Sequence, residues 1–374
     1  MDFCNLKAQY ELVKEDIDRR VLDVFKHGKY IFGPEITELE QKCAEFCGVK
    51  HALGVASGTD ALLMALMAYD VKPGDYVITT PFTFIATAEM IALIGAIPLF
   101  VDIEEDTYNI DPEKLADFLK TTTVDKSKIK GVITVDIYGQ LPDYQAIQKV
   151  IDESGLKLFL IEDAAQSFGA DQRGKKACSF GDIGATSFFP SKPLGCYGDG
   201  GMVLTNCDKL AEKLGWIRNH GQNERYCHKI IGINGRLDSV QAAVLLGKFE
   251  LFKSKEIDAR NNVAKMYTEK LSKIGGVKTP EVKDFNRSVW AQYSIVVENR
   301  DALAAHLNSK GIPTAVHYPI PLHMQEVFKH LGVEKGALVV SEKISAHIMS
   351  LPMCAYKTEE EIDCVVGAVK DFYK

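Results

Sequence analysis

The chain has 374 residues, of which 25% are charged and 46% hydrophobic. That length exceeds the roughly 100–200 residues typical of one domain, so two lobes are expected, and global disorder and a small disulfide-stapled module are excluded. The net charge of −7 and the lack of a dense Lys/Arg run argue against nucleic acid and against an anionic membrane as partners.

The first 48 residues predict two helices. Apolar residues recur at helical spacing over 7–27, and Gly28 is a natural stop for this amphipathic helix. A second helix is predicted from Pro34, since proline suits the first helical position, to near Gly48.

From residue 51 onward, short apolar runs alternate with helical stretches. Strands are predicted at 52–56, Tyr76 to Thr80, Ile97 to Val101, Val132 to Val135 and Leu158 to Ile161. The helices between them are predicted at 60–69, 84–94, 112–119 and 143–153. This alternation predicts a mainly parallel sheet that is covered on both faces.

The pattern after Ser187 is less regular and predicts a smaller α+β lobe at the carboxyl end. A strand at Gly201 to Thr205 and a helix at 208–218 precede a long helical stretch at 237–270, which we expect to bridge two lobes. The remaining predicted elements are strands at Trp290 to Val297 and 313–318 and helices at 301–309, 339–349 and 358–373.

The nine cysteines are odd in number and include no Cys-x-x-Cys pair. Cys43 and Cys47 share a helix face without a second ligand pair, so we expect reduced thiols and no metal site. The first residues lack the pattern of a signal peptide, and the longest apolar stretch, 90–101, is broken by Gly95 and Pro98. These features predict a cytoplasmic protein.

Polar segments that follow predicted strands are candidate ligand sites, because ligands gather at the carboxyl ends of strands in open α/β sheets. Ser57-Gly58-Thr59 leads into a helix and suits a phosphate, although plain N-capping by Ser57 or Thr59 explains it equally. Glu162 and Asp163 end a strand and point to opposite faces, so only one should meet a ligand; a solvated pair or an N-cap is the alternative.

Two further segments carry a lysine and an aromatic ring. Lys192 lies on a stiff loop between aromatic and proline residues, where partial desolvation would free its amine for a Schiff base; the alternative is a solvated surface lysine. Phe84 follows a predicted strand and either stacks on a flat ligand or packs in the core. A lysine, an acid for a pyridine nitrogen and a phosphate cup are together the parts that pyridoxal phosphate requires.

Six motifs are similar to those of one enzyme family over essentially the whole chain. The motifs are Ser57-Gly58-Thr59 with Ala61-Leu62, Thr83-Phe84-Ile85-Ala86-Thr87, Glu162-Asp163-Ala164-Ala165-Gln166, Ser187-Phe188-Phe189-Pro190-Ser191-Lys192, Gly232-Ile233-Asn234-Gly235-Arg236-Leu237 with Gln241-Ala242-Ala243, and His317-Tyr318-Pro319 with Pro321-Leu322-His323. In this the chain resembles the sugar nucleotide aminotransferases of the DegT/StrS type, which are pyridoxal phosphate enzymes of the aspartate aminotransferase fold group.

The resemblance implies an α/β protein of PLP-dependent transferase fold type I. A large PLP-binding domain, 1–250, would hold a mixed, mainly parallel seven-stranded sheet flanked by helices, and 251–374 would form a small α+β domain. The implied active sites are shared within a homodimer.

The resemblance also implies a role for each site residue. Lys192 would form the Schiff base and shuttle the proton, and Asp163 would pair with the pyridine nitrogen. Phe84 would stack on the ring and Gln166 would contact its hydroxyl side. The implied phosphate contacts are Gly58, Thr59, Ser187 and, from a second subunit, Asn234. The implied sugar nucleotide contacts are Arg236, His317 and Tyr318.

The implied reaction moves the amino group of L-glutamate, which leaves as 2-oxoglutarate, onto a keto-sugar nucleotide. The segment from Phe189 to Gly201 is most similar to members that aminate C3 of UDP-linked 3-keto-N-acetylhexosamines or their uronic acids, for bacterial surface polysaccharides such as lipopolysaccharide O-antigen. Amination at C4 of a UDP- or dTDP-4-keto-6-deoxy sugar is the alternative. Some relatives carry histidine at the lysine position and perform dehydration, and Lys192 favours amino transfer.

Two interpretations from other classes are weaker. The segment 169–176 nearly spells a phosphate-binding P-loop for phosphoryl transfer, but Lys176 replaces the required Ser or Thr and no helical period follows; a charged hairpin is the alternative. A non-catalytic cofactor-binding or regulatory protein is disfavoured by the intact Lys192 and Asp163.

Overall fold

The computed structural model describes residues 1–374 and is built around a seven-stranded sheet. Its strands are β1 (His51–Val55), β2 (Tyr76–Thr79), β3 (Ile97–Phe100), β4 (Ile129–Val135), β5 (Phe159–Asp163), β6 (Ile183–Ser187) and β7 (Gly201–Thr205). Their spatial order is β1-β7-β6-β5-β4-β2-β3, and β7 alone runs antiparallel to its neighbours. The predicted mixed, mainly parallel seven-stranded sheet is therefore confirmed.

Helices cover both faces of the sheet. Those of the first 251 residues are α1 (Leu6–His27), α2 (Pro34–Cys47), α3 (Gly58–Ala68), α4 (Ala86–Leu93), α5 (Pro112–Thr121), α6 (Tyr144–Glu153), α7 (Asp208–Ile217) and α8 (Ser239–Leu251). As predicted, α1 stops at Gly28, whose φ of +69° is the left-handed conformation that glycine adopts without strain. The Asn5 side chain caps the other end by accepting a hydrogen bond from the Ala8 amide at 3.0 Å.

The two faces of the sheet contribute to two separate apolar clusters. Leu160 belongs to a cluster of 35 buried residues and Ile161 to one of 23, because successive side chains of a strand point to opposite faces. The helix α3 is rich in Ala, Leu and Met and is buried almost all round, as expected for a helix that lacks a polar face.

The carboxyl part of the chain has its own core. It contains α9 (Ile257–Leu271), α10 (Arg300–Ser309), α11 (Val339–His347), α12 (Glu359–Phe372) and the sheet strands β8 (Val277–Lys278), β9 (Tyr293–Val297) and β10 (Ile348–Leu351). A cluster of 17 buried residues lies entirely within residues 263–369. The division at 250/251 stays a prediction, because the large cluster also takes in Phe252, Ile257 and Val289.

Several predicted elements differ from the observed ones. The helix predicted at 237–270 is interrupted by a π-helical turn at Phe252–Glu256, and the helix predicted at 339–349 gives way at Ile348 to β10. Pairing of β10 with β9 in a buried sheet overrides the local helical pattern there. The strand Ile183–Ser187 was not predicted.

The strand predicted at 313–318 is wrong. Only Ala315 pairs with a strand, through a single bridge to Ser350. Pro313 has no amide hydrogen to donate, and Pro319 turns the chain away directly afterwards.

All nine cysteines are free thiols. No three His, Cys, Asp or Glu side chains come together as a set of metal ligands. No helix combines the length and the apolar character that crossing a membrane requires.

Candidate active site

A cavity of about 470 Å³ opens at the edge of the sheet where β2, β4, β5 and β6 end. This volume is in the range of roughly 300–1,000 Å³ that is usual for small-molecule sites. The predicted site residues that line it are Gly58, Thr59, Phe84, Asp163, Gln166, Ser187, Lys192, His317 and Tyr318. Asn234 and Arg236 do not line it.

Lys192 lies on the loop that follows β6 and lines this cavity. Its backbone amide donates to the Phe189 carbonyl at 2.9 Å, which fixes the turn that carries the side chain. Burial lowers the pKa of Lys192 to about 8, and the nearby Asp163 carboxylate works against that shift. About a tenth of the amine is therefore uncharged at pH 7, far more than for an ordinary lysine, and a nucleophilic lysine requires this uncharged form.

Asp163 ends β5 and is buried at the floor of the cavity. The Thr87 hydroxyl donates to its Oδ2 at 2.8 Å and the Ala165 amide to its Oδ1 at 3.2 Å. Burial raises the pKa of Asp163, while the two hydrogen bonds and Lys192 counteract the rise. This carboxylate has no ion-pair partner within the chain's own side chains at contact distance, so it is placed to meet a cationic ligand.

Glu162 points to the other face of the sheet, as the alternation of a strand predicts. Its carboxylate accepts hydrogen bonds from the amides of Cys178 at 2.5 Å and Phe180 at 2.8 Å. Only one of the two consecutive acids therefore reaches the cavity.

The first turn of α3 forms one end of the cavity. Ser57 caps this helix by accepting from the Asp60 amide at 3.0 Å, so the N-capping interpretation is right for Ser57. Gly58 and Thr59 remain at the cavity surface beside Ser187. The helix N-terminus there offers the positive end of its dipole to an anion.

Phe84 is 55% exposed, whereas Phe82 is fully buried. Core packing is therefore the role of Phe82. The Phe84 ring lies at the cavity, with its centroid 6.1 Å from that of Tyr318.

Gln166 links the two lobes across the cavity. Its Oε1 accepts from the Tyr138 amide at 2.7 Å and its Nε2 donates to the Tyr318 hydroxyl at 3.1 Å. His317 is held by its Nδ1, 2.9 Å from the Ser350 hydroxyl, and by the Tyr138 hydroxyl, which donates to its carbonyl. Burial, and then the charge of Lys192, lower the pKa of His317.

Asn234 and Arg236 lie on a segment that packs beside the end of β1, outside the cavity of their own chain. The backbone of Asn234 pairs with that of Asn219 in an isolated antiparallel β-bridge. The Arg236 Nη1 donates a hydrogen bond to the Asn219 side-chain oxygen at 2.7 Å. Ile231, in the same segment, is 84% exposed. The predicted roles of both residues stay predictions, and that of Asn234 requires a second subunit.

The sequence missed two residues that hold the site together. Thr87 belongs to the motif Thr83 to Thr87, which predicts no role for this residue, and it donates to Asp163 from the first turn of α4. Tyr138 lies in a one-turn 3-10 helix after β4 and supports both Gln166 and His317. The sequence indicates the location of Thr87 only through its position seven residues after the predicted end of a strand at Thr80, on the side of the sheet where ligands bind.

The P-loop interpretation of 169–176 is not supported by the local structure. Asp171–Gln172 and Lys175–Lys176 pair as a two-stranded antiparallel hairpin, with Arg173 and Gly174 at positive φ in its turn. The alternative interpretation, a charged hairpin, is therefore right for this segment. The segment presents no helix N-terminus to a phosphate.

Comparison with known proteins identifies the family. The family described as DegT/DnrJ/EryC1/StrS aminotransferase matches residues 11–370. The chain belongs to this family. The predicted family, fold type and enzyme class are thereby confirmed.

Two relatives illustrate the similarity. A Pseudomonas aeruginosa protein named UDP-2-acetamido-2-deoxy-3-oxo-D-glucuronate aminotransferase is 46% identical over 369 residues, 99% of each chain. An Acidithiobacillus ferrooxidans protein named UDP-N-acetyl-3-dehydro-alpha-D-glucosamine 3-aminotransferase is 37% identical over 366 residues, 98% of this chain and 96% of the relative.

Solved structures agree with the fold. A family member from Brucella abortus matches with a TM-score of 0.95 at 43% identity, covering 100% of this chain and 99% of the other. NtdA from Bacillus subtilis, solved with bound cofactor PMP, matches with a TM-score of 0.86 at 30% identity, covering 96% and 81%. The predicted cofactor, pyridoxal phosphate, is that of the family.

The contact between Gly58 and Ser187 leads to a first prediction. A Cβ added at Gly58 would lie 2.7 Å from the Ser187 Cβ, so Gly58→Ala must push α3 and the end of β6 apart. We expect Gly58→Ala to lower the unfolding free energy by about 1–3 kcal/mol and to weaken pyridoxal phosphate binding. Chemical denaturation and cofactor titration measure the two effects.

The matched control for this prediction is Gly215→Ala in α7, where the added Cβ would meet only Leu53 Cδ2 at an ordinary 3.7 Å. The control should keep wild-type cofactor binding. Equal cofactor affinity in the Gly58 and Gly215 variants would show that the close approach at Gly58 does not shape the phosphate site.

Proposed function

We propose that this chain transfers the amino group of L-glutamate to C3 of a UDP-linked 2-acetamido-2-deoxy-3-keto hexose or hexuronic acid. The observation that carries the proposal is the 46% identity with the Pseudomonas aeruginosa enzyme over 99% of both chains, combined with a cavity that holds Lys192 and Asp163 together. The product would serve bacterial surface polysaccharide synthesis. Nine free thiols are consistent with a cytoplasmic setting for this reaction.

The residues of the cavity fit pyridoxal phosphate. The cofactor presents an aldehyde, a ring nitrogen that becomes cationic and a phosphate. The amine of Lys192, the buried carboxylate of Asp163 and the N-terminus of α3 at Gly58 each suit one of these groups. When bound, the cofactor supplies an electron sink that stabilises negative charge on the carbon next to the transferred nitrogen.

Each of these residues has a separate task in the proposal. Lys192 holds the cofactor and then moves a proton at its Nζ between the two carbon positions. Asp163 keeps the ring nitrogen protonated, and Thr87 orients Asp163 through the 2.8 Å hydrogen bond. Gln166 and Tyr318 are fixed against each other and limit where the ring and the sugar can lie.

The pKa of Lys192 predicts how cofactor capture depends on pH. Below about 8 the amine is protonated and cannot attack an aldehyde, so the capture rate should rise about tenfold per pH unit and level off above that value. Because Asp163 raises the pKa of Lys192, Asp163→Asn should move the midpoint to lower pH. Stopped-flow absorbance of apoprotein mixed with pyridoxal phosphate measures the profile; a rate independent of pH between 6 and 9 would contradict it.

We also propose an obligatory homodimer with shared active sites. Large apolar side chains are exposed on α1 and just after it, at the cavity and between α7 and α8, and exposed apolar surface is typical of an interface between subunits. They include Leu22, Phe25, Tyr30, Phe189, Tyr226 and Ile231. In the proposed dimer, the segment with Asn234 would contribute to the partner's phosphate site.

Subunit mixing tests this shared site. Lys192→Ala and Asn234→Asp are each expected to be inactive alone, because each breaks a site that two subunits build. After joint refolding, heterodimers regain one site with both wild-type residues, so about a quarter of the wild-type activity should return. Separately folded and then mixed homodimers that do not exchange are the control. Mixtures that stay inactive after verified heterodimer formation would exclude sharing.

A substrate panel tests the proposed reaction itself. Purified protein loaded with pyridoxal phosphate is given L-glutamate and UDP-linked 3-keto-N-acetylglucosamine, its uronic acid, and UDP- and dTDP-linked 4-keto-6-deoxy sugars. We expect amino transfer to the 3-keto substrates, detected by mass spectrometry. Transfer to the 4-keto sugars alone would establish the C4 alternative.

A further inference from the structure

A fully buried lysine, Lys248, lies on α8 outside the cavity. It makes no ion pair, and burial lowers its pKa to about 8, while the charge of Glu256 works against that shift. An ammonium group that is buried without a contacting acid is unfavourable, whereas an apolar side chain in its place would avoid that cost. Stability alone therefore does not explain a lysine at this position.

The ammonium group of Lys248 contacts the segment that carries Lys192. This segment, residues 188–200, follows β6, and we call it the lysine loop. The Lys248 Nζ donates to the Gly195 carbonyl at 2.6 Å and lies 3.9 Å from the centre of the Tyr197 ring. Hydrogen bonds from a charged donor and cation–π contacts are strong when they are buried. Lys248 thus holds the lysine loop at two points.

The part of the lysine loop directly after Lys192 has no other support of this kind. The loop is closed by the Cys196 amide, which donates to the Phe188 carbonyl at 2.8 Å. Between Lys192 and Cys196, residues 193–195 make a single hydrogen bond to the rest of the protein, the one from Lys248. Lys248 is therefore the polar anchor of this stretch.

Gly195 connects this anchor with the turn that carries Lys192. The backbone approach is so close that a Cβ added at Gly195 would lie 2.5 Å from the Pro190 oxygen and 2.7 Å from the Phe189 oxygen. The Phe189 carbonyl is also the acceptor of the Lys192 amide, at 2.9 Å. A shift of Gly195 would therefore move this turn, and the Lys192 side chain would move with it.

We propose that Lys248 is a positioning residue, which holds the Lys192 amine where it meets the aldehyde of pyridoxal phosphate. The proposal rests on the role of Lys192 in the proposed function and deepens it. In the capture step the neutral amine adds to the aldehyde carbon, and the aldehyde oxygen leaves as water with the two hydrogens of the amine. The proposed phosphate contacts, Gly58, Thr59 and Ser187, lie outside the lysine loop. Lys248 should thus affect covalent capture and not the noncovalent binding that precedes it.

Stopped-flow mixing of apoprotein with increasing concentrations of pyridoxal phosphate tests the proposal. Saturation of the observed rate separates the dissociation constant of the noncovalent complex from the rate constant of the covalent step. We expect Lys248→Met to lower this rate constant by about 10- to 100-fold and to keep the dissociation constant within about twofold of wild type, because bond formation depends steeply on the position of the reacting atoms. Lys248→Gln, which stays polar but loses the charge and the reach, should have the same effect.

Lys357→Met is the matched control. Lys357 is also buried, and its Nζ donates to a backbone carbonyl, that of Asp2, at the same 2.6 Å, but this contact lies outside the lysine loop. The control should keep the wild-type rate constant. An equal loss of rate in the Lys248 and Lys357 variants would assign the effect to a general loss of structure and overturn the proposal.

Three other results would also overturn the proposal. They are a wild-type rate constant in the folded Lys248 variants, an effect on the dissociation constant alone, and failure of both Lys248 variants to fold, which would assign this lysine to stability. Borohydride reduction of wild type separates the two levels of inference. Wild type without covalent cofactor on Lys192 would remove that part of the proposed function, and the role of Lys248 would fall with it.

Discussion

Lys192→Ala is expected to lower turnover by roughly 10⁴- to 10⁶-fold, the size of loss seen when the nucleophile of a catalytic unit is removed. The loss should be this large because Lys192 has two tasks, covalent capture of the cofactor and proton transfer at its Nζ. It is the lysine that lines the cavity, and burial holds its pKa at about 8. Borohydride reduction followed by peptide mass spectrometry should place the cofactor on Lys192 in wild type and nowhere in the variant.

Lys209→Ala is the control for this experiment, since Lys209 is an exposed residue of α7 outside the cavity. It should retain covalent labelling and activity. A Lys192→Ala protein that still carries reducible cofactor, or that turns over at more than a small fraction of the wild-type rate, would refute the role of Lys192.

Asp163→Asn is expected to lower turnover by about 10²- to 10³-fold, comparable to the loss of one preorganised electrostatic contact in other active sites. The amide keeps the shape: its single oxygen can accept from the Ala165 amide while its NH2 group donates to the Thr87 hydroxyl oxygen, so the protein should fold and bind the cofactor. It cannot hold a proton on the ring nitrogen, because it is uncharged. The expected signature is a retained cofactor whose absorption band changes slowly on addition of glutamate.

Thr87→Val separates the charge of Asp163 from its orientation. It removes the 2.8 Å hydrogen bond and leaves the carboxylate, so its effect should be smaller than that of Asp163→Asn. Burial already raises the pKa of Asp163, and loss of the Thr87 hydroxyl should raise this pKa further. The pH–activity profile of Thr87→Val should therefore begin to fall at a higher pH than that of wild type as the solution is acidified.

For the Asp163→Asn prediction, turnover equal to that of wild type would contradict the role of Asp163 in supporting the electron sink.

The large sheet was predictable because each of its early strands is a short apolar run, and the helix that follows has apolar residues at helical spacing. The predicted strand at Leu158 to Ile161 also placed Asp163 at the sheet edge, where the structure has it. The predicted strand at 313–318 failed because the sequence does not reveal that only Ala315 would find a strand to pair with. Pairing across distant parts of a chain is set by tertiary packing.

The same limit applies to the site. Local motifs identified Lys192 and Asp163, since the chemistry of each residue type and its place after a strand are local properties. Tyr138 has no such motif, and its importance comes from the hydrogen bonds that it donates to Gln166 and to the His317 carbonyl. Side-chain pairing across 100 residues or more of sequence, as between Gln166 and Tyr318, can be found only once the chain is folded.

The two consecutive acids of β5, Glu162 and Asp163, favour a single pairing register for this strand, because each is suited to a different face of the sheet. A shift of one residue would turn Asp163 towards the amides of Cys178 and Phe180 and Glu162 towards the cofactor space. The shorter aspartate side chain would have to span the gap that Glu162 bridges at 2.5 Å and 2.8 Å, and those buried amides would lose their acceptor. The hydrogen bonds of Glu162 on the face of the sheet away from the cavity therefore fix the register that places Asp163 in the cavity. A substitution that distorts the loop from Cys178 to Phe180 should displace Asp163, although this loop does not line the cavity.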